Sequence, residues 1–301
     1  MLSQFSLRSL IYAVLGLVLA IPPNTCIVIV NLKSIRKKEK LSPSNLIFLV
    51  KAIVNIFHQC LLSLQGMLFF WSSSVFHDNN VYSFIMVSVH FLIYYSFWLT
   101  VWLSAHYCTS ITNLRIGFFI MVKRIVSNFL SHVLFLTALG LFPVSVLIIW
   151  AFSGDSNFHS HINSTEATAD FAFYYVIYSF LVPVTFLGCI LPFCLILLCL
   201  LLTFSFLVRH VWRVKNNDSG STLPNLRAHV TALRTIILFL LVFTSFFMSQ
   251  VILFTRNTSE YAGSVDGVIW TFRLFSPSLE GFIIFQANNK LKRFILRKLW
   301  T

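Results

Sequence analysis

The chain has 301 residues, 57% of them hydrophobic and only 10% charged, with 22 Lys and Arg against 9 Asp and Glu and a net charge of +13. Soluble domains carry about 25% charged residues, so a water-soluble enzyme or binding domain is excluded. The positive charge does not point to nucleic acid either, because the bases flank apolar segments and form no contiguous patch.

Seven stretches reach the ~20 apolar residues that a membrane-spanning helix needs. In chain order they are 10–32, 45–71, 82–112, 126–152, 173–208, 229–255 and 265–286. They predict an all-α membrane protein with one seven-helix transmembrane domain over residues 1–301. The first stretch is too long for a signal-peptide core and runs into bases, with no cleavage site. At ~1.5 Å per residue, Phe171–Val211 would run about 60 Å, so the fifth helix is expected to project into the cytosol. Pro22, Pro23, Pro143, Pro183, Pro192 and Pro277 fall within spans, where each frees a backbone carbonyl. The tail Asn288–Thr301 alternates bases with Leu291, Phe294, Ile295, Leu296 and Leu299, which predicts a short amphipathic helix on the inner membrane surface. No internal repeat is visible, which argues against a transporter built on inverted repeats.

Charge orients the chain. Lys33–Lys40 holds five bases, Arg115–Arg124 three, Arg209–Arg227 four and Lys290–Lys298 five, all in alternate connections. The opposite connections carry Asp78, Asp155, Glu166, Asp170, Glu260 and Asp266. The positive-inside rule then places the N-terminus outside and the C-terminus in the cytosol. Asn163-Ser-Thr and Asn257-Thr-Ser are sequons in outer loops and are candidate glycosylation sites, whereas the sequon at Asn217 falls on the cytosolic side. All six cysteines lie inside spans, so no outer disulfide is expected and no metal spacing appears. His159 and His161 are read as residues of a solvated outer loop.

Enzyme signatures are sparse, and no cofactor or metal is expected. There is no G-x-S-x-G, H-E-x-x-H or P-loop, and no pair of acids at helical spacing within a span. Polar residues inside spans are costly and therefore mark function. Lys51 lies two turns above the inner end of span 2, and its long stem is expected to snorkel back to the interface. Glu280 follows Pro277 by one turn and faces the bundle interior, neutral or paired, with Asn24 and Asn55 as expected neighbours and Arg273 two turns above. Gln65 and Gln250 lie in the outer halves of spans 2 and 6, where they orient a ligand or bond across helices. His90 and Tyr94, four residues apart, share a face of span 3 with Phe97 nearby. Such an aromatic wall with one imidazole suits a mostly apolar small-molecule pocket, or simple packing between helices.

Several stretches resemble the type 2 (bitter) taste receptors, a branch of the seven-helix G-protein-coupled receptors. They are Lys40-Leu41-Ser42-Pro43 with Asn45-Leu46-Ile47, Ser96-Phe97-Trp98-Leu99 through Leu103-Ser104-Ala105-His106-Tyr107, and Ile111-Thr112-Asn113. Leu191-Pro192-Phe193, Leu207-Val208-Arg209-His210, Ala228-His229 and Ala232-Leu233-Arg234 continue the pattern. Pro277-Ser278-Leu279, Asn288-Asn289-Lys290-Leu291-Lys292 and Asn24 with Asn31 complete it, so the resemblance covers nearly the whole chain. The chain departs from the family at Asn55, where Arg is usual, at His106 and Ser110 for Phe and Lys, at Phe206 for Ser and at Pro277 for His. These departures imply a rewired inner network that Glu280 and Lys51 are candidates to join.

The resemblance implies a plasma-membrane receptor that detects small, largely apolar agonists. It places the ligand near the outer face, and the residues expected to bind it are His90, Ile93, Tyr94, Phe97, Gln250, Trp270 and Gln65. It implies an inner groove lined by Tyr107, Arg209, His210, Arg213 and His229 that receives the C-terminal helix of a heterotrimeric G-protein α subunit. Asn24, Asn55, Ser278 and Glu280 form the switch or structural polar set. A type 1 vomeronasal receptor is the nearest alternative, and a small transporter or membrane enzyme the more distant ones.

Overall fold

A computed structural model describes residues 2–71, 79–111, 117–158, 182–216, 223–255 and 262–287, nearly all of them helical. The helices are α1 (Leu2–Arg36), α2 (Pro43–Trp71), α3 (Asn79–Ile111), α4 (Gly117–Asn128), α5 (Leu130–Phe158), α6 (Leu191–Asn216), α7 (Leu223–Thr255) and α8 (Ala262–Ala287). A π-helical turn, Phe186–Ile190, leads into α6. The C-terminal segment from Asn288, and His159 and His161, lie outside the described residues.

Local chemistry explains several boundaries. Helix α1 ends with Glu39 N–H donating to Ser34 O (3.1 Å) and Lys38 N–H to Ile35 O (2.8 Å). This pair of bonds is a Schellman closure, and Lys38 takes the left-handed position with φ 58°. Helix α2 starts where Ser42 Oγ accepts from Asn45 N–H (3.3 Å), with Pro43 as the first helical residue, where its missing donor costs nothing. The connection after α3 carries a further helix, α4, that no apolar span predicts. In α4, Val122, Ile125 and Val126 turn inward while Lys123 and Arg124 stay exposed, a helical apolar period that marks an amphipathic segment. Helix α5 continues past residue 152 to Phe158, and α6 continues to Asn216, so Arg209 and Arg213 stand on a helix.

Helix α1 packs on α2 and α8, α8 on α7, and α7 on α6, while α3 touches α2, α4, α5, α6 and α7. The long helices thus form a ring with α3 at its centre. The polarity of this ring is inverted relative to a soluble protein. Phe57, Phe84, Phe135 and Leu139 are exposed, whereas Asn24, Asn31, Lys51, Asn55, Gln59 and Ser104 are buried. Among the described residues five segments are long and apolar enough to cross a membrane: Leu10–Arg36, Pro43–Leu68, Ser83–Ile111, Leu130–Leu147 and Val182–Arg209. Helix α7 holds a shorter apolar stretch, Leu233–Phe246. Hydroxyls inside these helices bond back to carbonyls one turn earlier, as in Ser104 to Thr100 O (2.8 Å), Ser145 to Leu141 O (2.9 Å) and Thr203 to Cys199 O (2.6 Å). Local satisfaction of this kind is what a medium without water demands.

Candidate functional site: a buried ion pair beneath an aromatic wall

Lys51 does not snorkel. Its side chain is fully buried, and its ammonium lies 3.2 Å from Glu280 Oε1. It also donates to Ser96 Oγ (2.6 Å), Ser96 O (3.0 Å) and Thr100 Oγ1 (3.0 Å), and stands 4.8 Å from the centre of the Phe239 ring. Ser96 Oγ in turn donates to Glu280 Oε2 (3.0 Å). Two opposite charges facing the same interior find each other, and a partner in low dielectric outweighs a reach to the interface. Each donor proton of the ammonium is thereby matched to an oxygen, the condition under which a buried pair is tolerated. The pair ties α2, α3 and α8 together, with α7 contributing the ring above the ammonium.

Asn24 and Asn55 stand next to this pair without touching Glu280 by any hydrogen bond among the described residues. Asn24 Nδ2 donates to Ala20 O (2.8 Å) and Pro277 O (3.3 Å), and Asn24 Oδ1 accepts from Asn55 Nδ2 (3.3 Å). The amide thus joins α1, α2 and α8. Gly281 makes this possible, because a Cβ there would stand 2.7 Å from Asn24 Nδ2. Ser278 is buried, and its hydroxyl has no hydrogen-bond partner among the described residues.

The aromatic wall lies on α3 as the sequence spacing predicts. His90, Ile93, Tyr94 and Phe97 are all buried. His90 Nδ1 is 2.8 Å from Met86 O; a carbonyl only accepts, so Nδ1 carries the proton. Gln65 reaches the same residue, its Nε2 4.0 Å from Met86 Sδ, while its buried Oε1 has no partner among the described residues. The His90 and Tyr94 rings meet edge to face at 6.1 Å. Phe97 packs on Phe243 of α7 with centroids 3.8 Å apart and on Phe246 at 5.8 Å.

Two motifs that the sequence shows only as separate strings meet at the π-turn. Leu191 N–H bonds to Phe186 O, the π register, and Pro192 has no N–H to give. Leu187 O is therefore left without a helical donor, and the Trp98 indole supplies one at 3.1 Å. One turn earlier on α3, the Tyr94 ring lies against Gly188, where a Cβ would stand 2.7 Å from the ring. Only a residue without a side chain admits that approach.

Among the residues expected at the inner face, Tyr107 is half-buried and Arg209 exposed. Of His210, Arg213, His229, Gln250, Trp270 and Arg273 only the helical backbone is described, and Asn163 and Asn257 lie outside the described residues. Sequence reasoning missed Ser96, Thr100, Phe239 and Gly188. The spacing of Ser96 and Thr100 by one turn in an aromatic span was a usable signal, whereas nothing in the sequence pointed to Gly188.

The described residues thus place a polar junction among apolar helices, with an aromatic wall on α3 above it. Residues 1–301 match the profile of the taste receptor protein (TAS2R) family. The chain belongs to that family. It is similar to taste receptor type 2 member 40 of Gallus gallus, 25% identical over 296 residues covering 98% of this chain and 95% of the relative. It is also similar to taste receptor type 2 members 9 and 31 of Homo sapiens, 26% and 29% identical, each alignment covering 92% of this chain and 88% of the relative. The TAS2R chain is thus a multi-pass membrane receptor, and the enzyme and vomeronasal alternatives give way to the taste-receptor reading.

Proposed function

We propose that this TAS2R receptor crosses the plasma membrane seven times, over 10–32, 45–71, 82–112, 126–152, 173–208, 229–255 and 265–286. Its N-terminus is outside, its C-terminus in the cytosol, and 288–301 forms an amphipathic helix on the inner leaflet. A small, mostly apolar agonist binds near the outer face against His90, Ile93, Tyr94, Phe97 and Gln65, with Gln250 and Trp270 closing the pocket. The observation that carries this reading is the adjacency of wall and ion pair. Ser96 holds Lys51 and Glu280, and the next residue, Phe97, packs on Phe243 one turn from Phe239, the ring over the ammonium.

An agonist that displaces Phe97 therefore acts on α7 directly. It favours an open state only through its greater affinity for that state. In the open state α7 moves outward, and Tyr107, Arg209, His210, Arg213 and His229 receive the C-terminal helix of a G-protein α subunit. Nucleotide exchange is chemistry of the G protein. Glu280, Ser278, Asn24 and Asn55, together with Lys51, form the junction whose rearrangement separates the two states.

The test is calcium release from cells that co-express the chain with a promiscuous G-protein α subunit, screened against bitter compounds. His90→Ala and Tyr94→Ala are expected to weaken the response to an agonist by about tenfold, the factor given by ~1.4 kcal/mol. Unchanged potency in both variants would misplace the pocket, and silence to all compounds at confirmed surface expression would count against the receptor reading. Outer placement of Asn163 and Asn257 implies glycans at both sequons. A glycosidase-sensitive mobility shift that persists unchanged in the Asn163→Gln/Asn257→Gln double variant would refute that placement.

A further inference from the structure

Away from the proposed agonist wall, the described residues hold a concavity. A groove of about 390 Å³ lies between α3, α5 and the π-turn, lined by Trp98, Trp102, Thr137, Gly140, Val144 and Leu187 among others. Its volume falls in the range of small-molecule sites, roughly 300–1,000 Å³. Leu136 on its wall is exposed, as are Leu139 and Phe142 beside it, and its walls belong to the apolar segments Ser83–Ile111, Leu130–Leu147 and Val182–Arg209. It therefore opens where hydrocarbon meets the protein, and a molecule dissolved in the bilayer reaches it without crossing water.

Each donor on its wall is already committed. The Trp98 indole donates to Leu187 O (3.1 Å), the Trp102 indole to Thr137 Oγ1 (3.1 Å), and the Thr137 hydroxyl to Val133 O (2.7 Å). The groove offers nothing to a polar headgroup and selects an apolar body. Gly140 keeps the α5 wall low, since a Cβ there would meet nothing within 4 Å. Two indoles held by hydrogen bonds beside a bare glycine make a firm, shallow surface. A rigid fused-ring molecule loses less freedom on such a surface than a flexible acyl chain does.

We propose that this groove is a binding site for a membrane sterol, lying against Trp98, Trp102 and Gly140. The plasma membrane, where the receptor works, is rich in sterol. Occupancy is felt at the π-turn, because the Trp98 bond to Leu187 borders the groove and the next residue, Gly188, carries the Tyr94 ring of the agonist wall. The sterol is thus placed to stiffen the turn on which that wall rests. The proposal uses the membrane location of the receptor and does not depend on its signalling.

The experiment uses the full chain purified into phospholipid nanodiscs with a diazirine-bearing cholesterol analogue, irradiated and mapped by peptide mass spectrometry. Adducts are expected on residues 98–102, 133–144 or 187 and are lost when excess cholesterol is added. Gly140→Phe and Val144→Trp are each expected to lose the adduct while keeping the wild-type unfolding temperature in sterol-free detergent. Adducts confined to other helices overturn the proposal, as do adducts that phospholipid displaces as well as cholesterol does. An undiminished adduct in a folded groove-filling variant also overturns it. Should one variant fail to fold, the other variant and the wild-type map still decide.

Discussion

Lys51→Met and Glu280→Leu, made singly, are expected to cost roughly 3–5 kcal/mol each, the penalty for leaving one buried charge without its partner. Natural proteins are stable by only about 5–15 kcal/mol, so either variant should lose most of its folded receptor from the cell surface. The geometry sets this size. Lys51 is fully buried and, among the described residues, bonds to oxygens of Ser96, Thr100 and Glu280, so removing Glu280 leaves a buried ammonium without its counter-charge. Removing Lys51 strands a carboxylate whose remaining donor among the described residues is the Ser96 hydroxyl. The double variant Lys51→Met/Glu280→Leu fills the same space with apolar groups and should recover most of the loss, since such replacements of buried pairs are often neutral. Surface immunolabelling and thermal unfolding in detergent measure both effects. A double variant no better than its parents would show that the two charges do not act as a pair.

Gly188→Val is the second large effect. Its Cβ would stand 2.7 Å from Tyr94 Cδ1 and Cε1 and 2.8 Å from Cζ. A rigid ring packed between helices cannot yield as the tip of a flexible side chain can. The clash is expected to cost about 1–3 kcal/mol, as overpacking usually does, and to displace Tyr94 from the wall, so that agonist potency falls with stability. Combining it with Tyr94→Ala removes the ring it strikes, so the pair should be clearly non-additive in unfolding temperature. Strict additivity would mean that the ring and the glycine do not meet in the membrane.

The all-helical, apolar character of the fold was legible in the sequence because a bilayer imposes simple rules. Apolar length marks the helices, and the Ser42-Pro43 start of α2 follows from capping alone. The interior is different, because sequence gives which residues are polar but not which of them face one another. Lys51 and Glu280 are 229 positions apart, and only the ring of helices brings them together; for Lys51 alone, the rule that long side chains snorkel pointed the wrong way. Asn24 and Asn55, expected beside Glu280, bond to each other and to Pro277 O, a pairing that the sequence does not single out. The Pro192 and Trp98 motifs were both visible, yet their relation is a shift of helical register at Phe186–Ile190 that no local pattern announces. Helix α4 was missed because its apolar residues are too few for a span and lie among bases.

The central claim is that an agonist held on the α3 wall changes the junction beneath it and so drives a G protein. Nucleotide exchange on a purified heterotrimer, with the receptor reconstituted in nanodiscs and an agonist found by the cell screen, tests it most directly. Agonist is expected to accelerate exchange with wild-type receptor and much less with Tyr94→Ala at the same receptor density. Agonist that binds the wild-type receptor yet leaves exchange at its basal rate would contradict it.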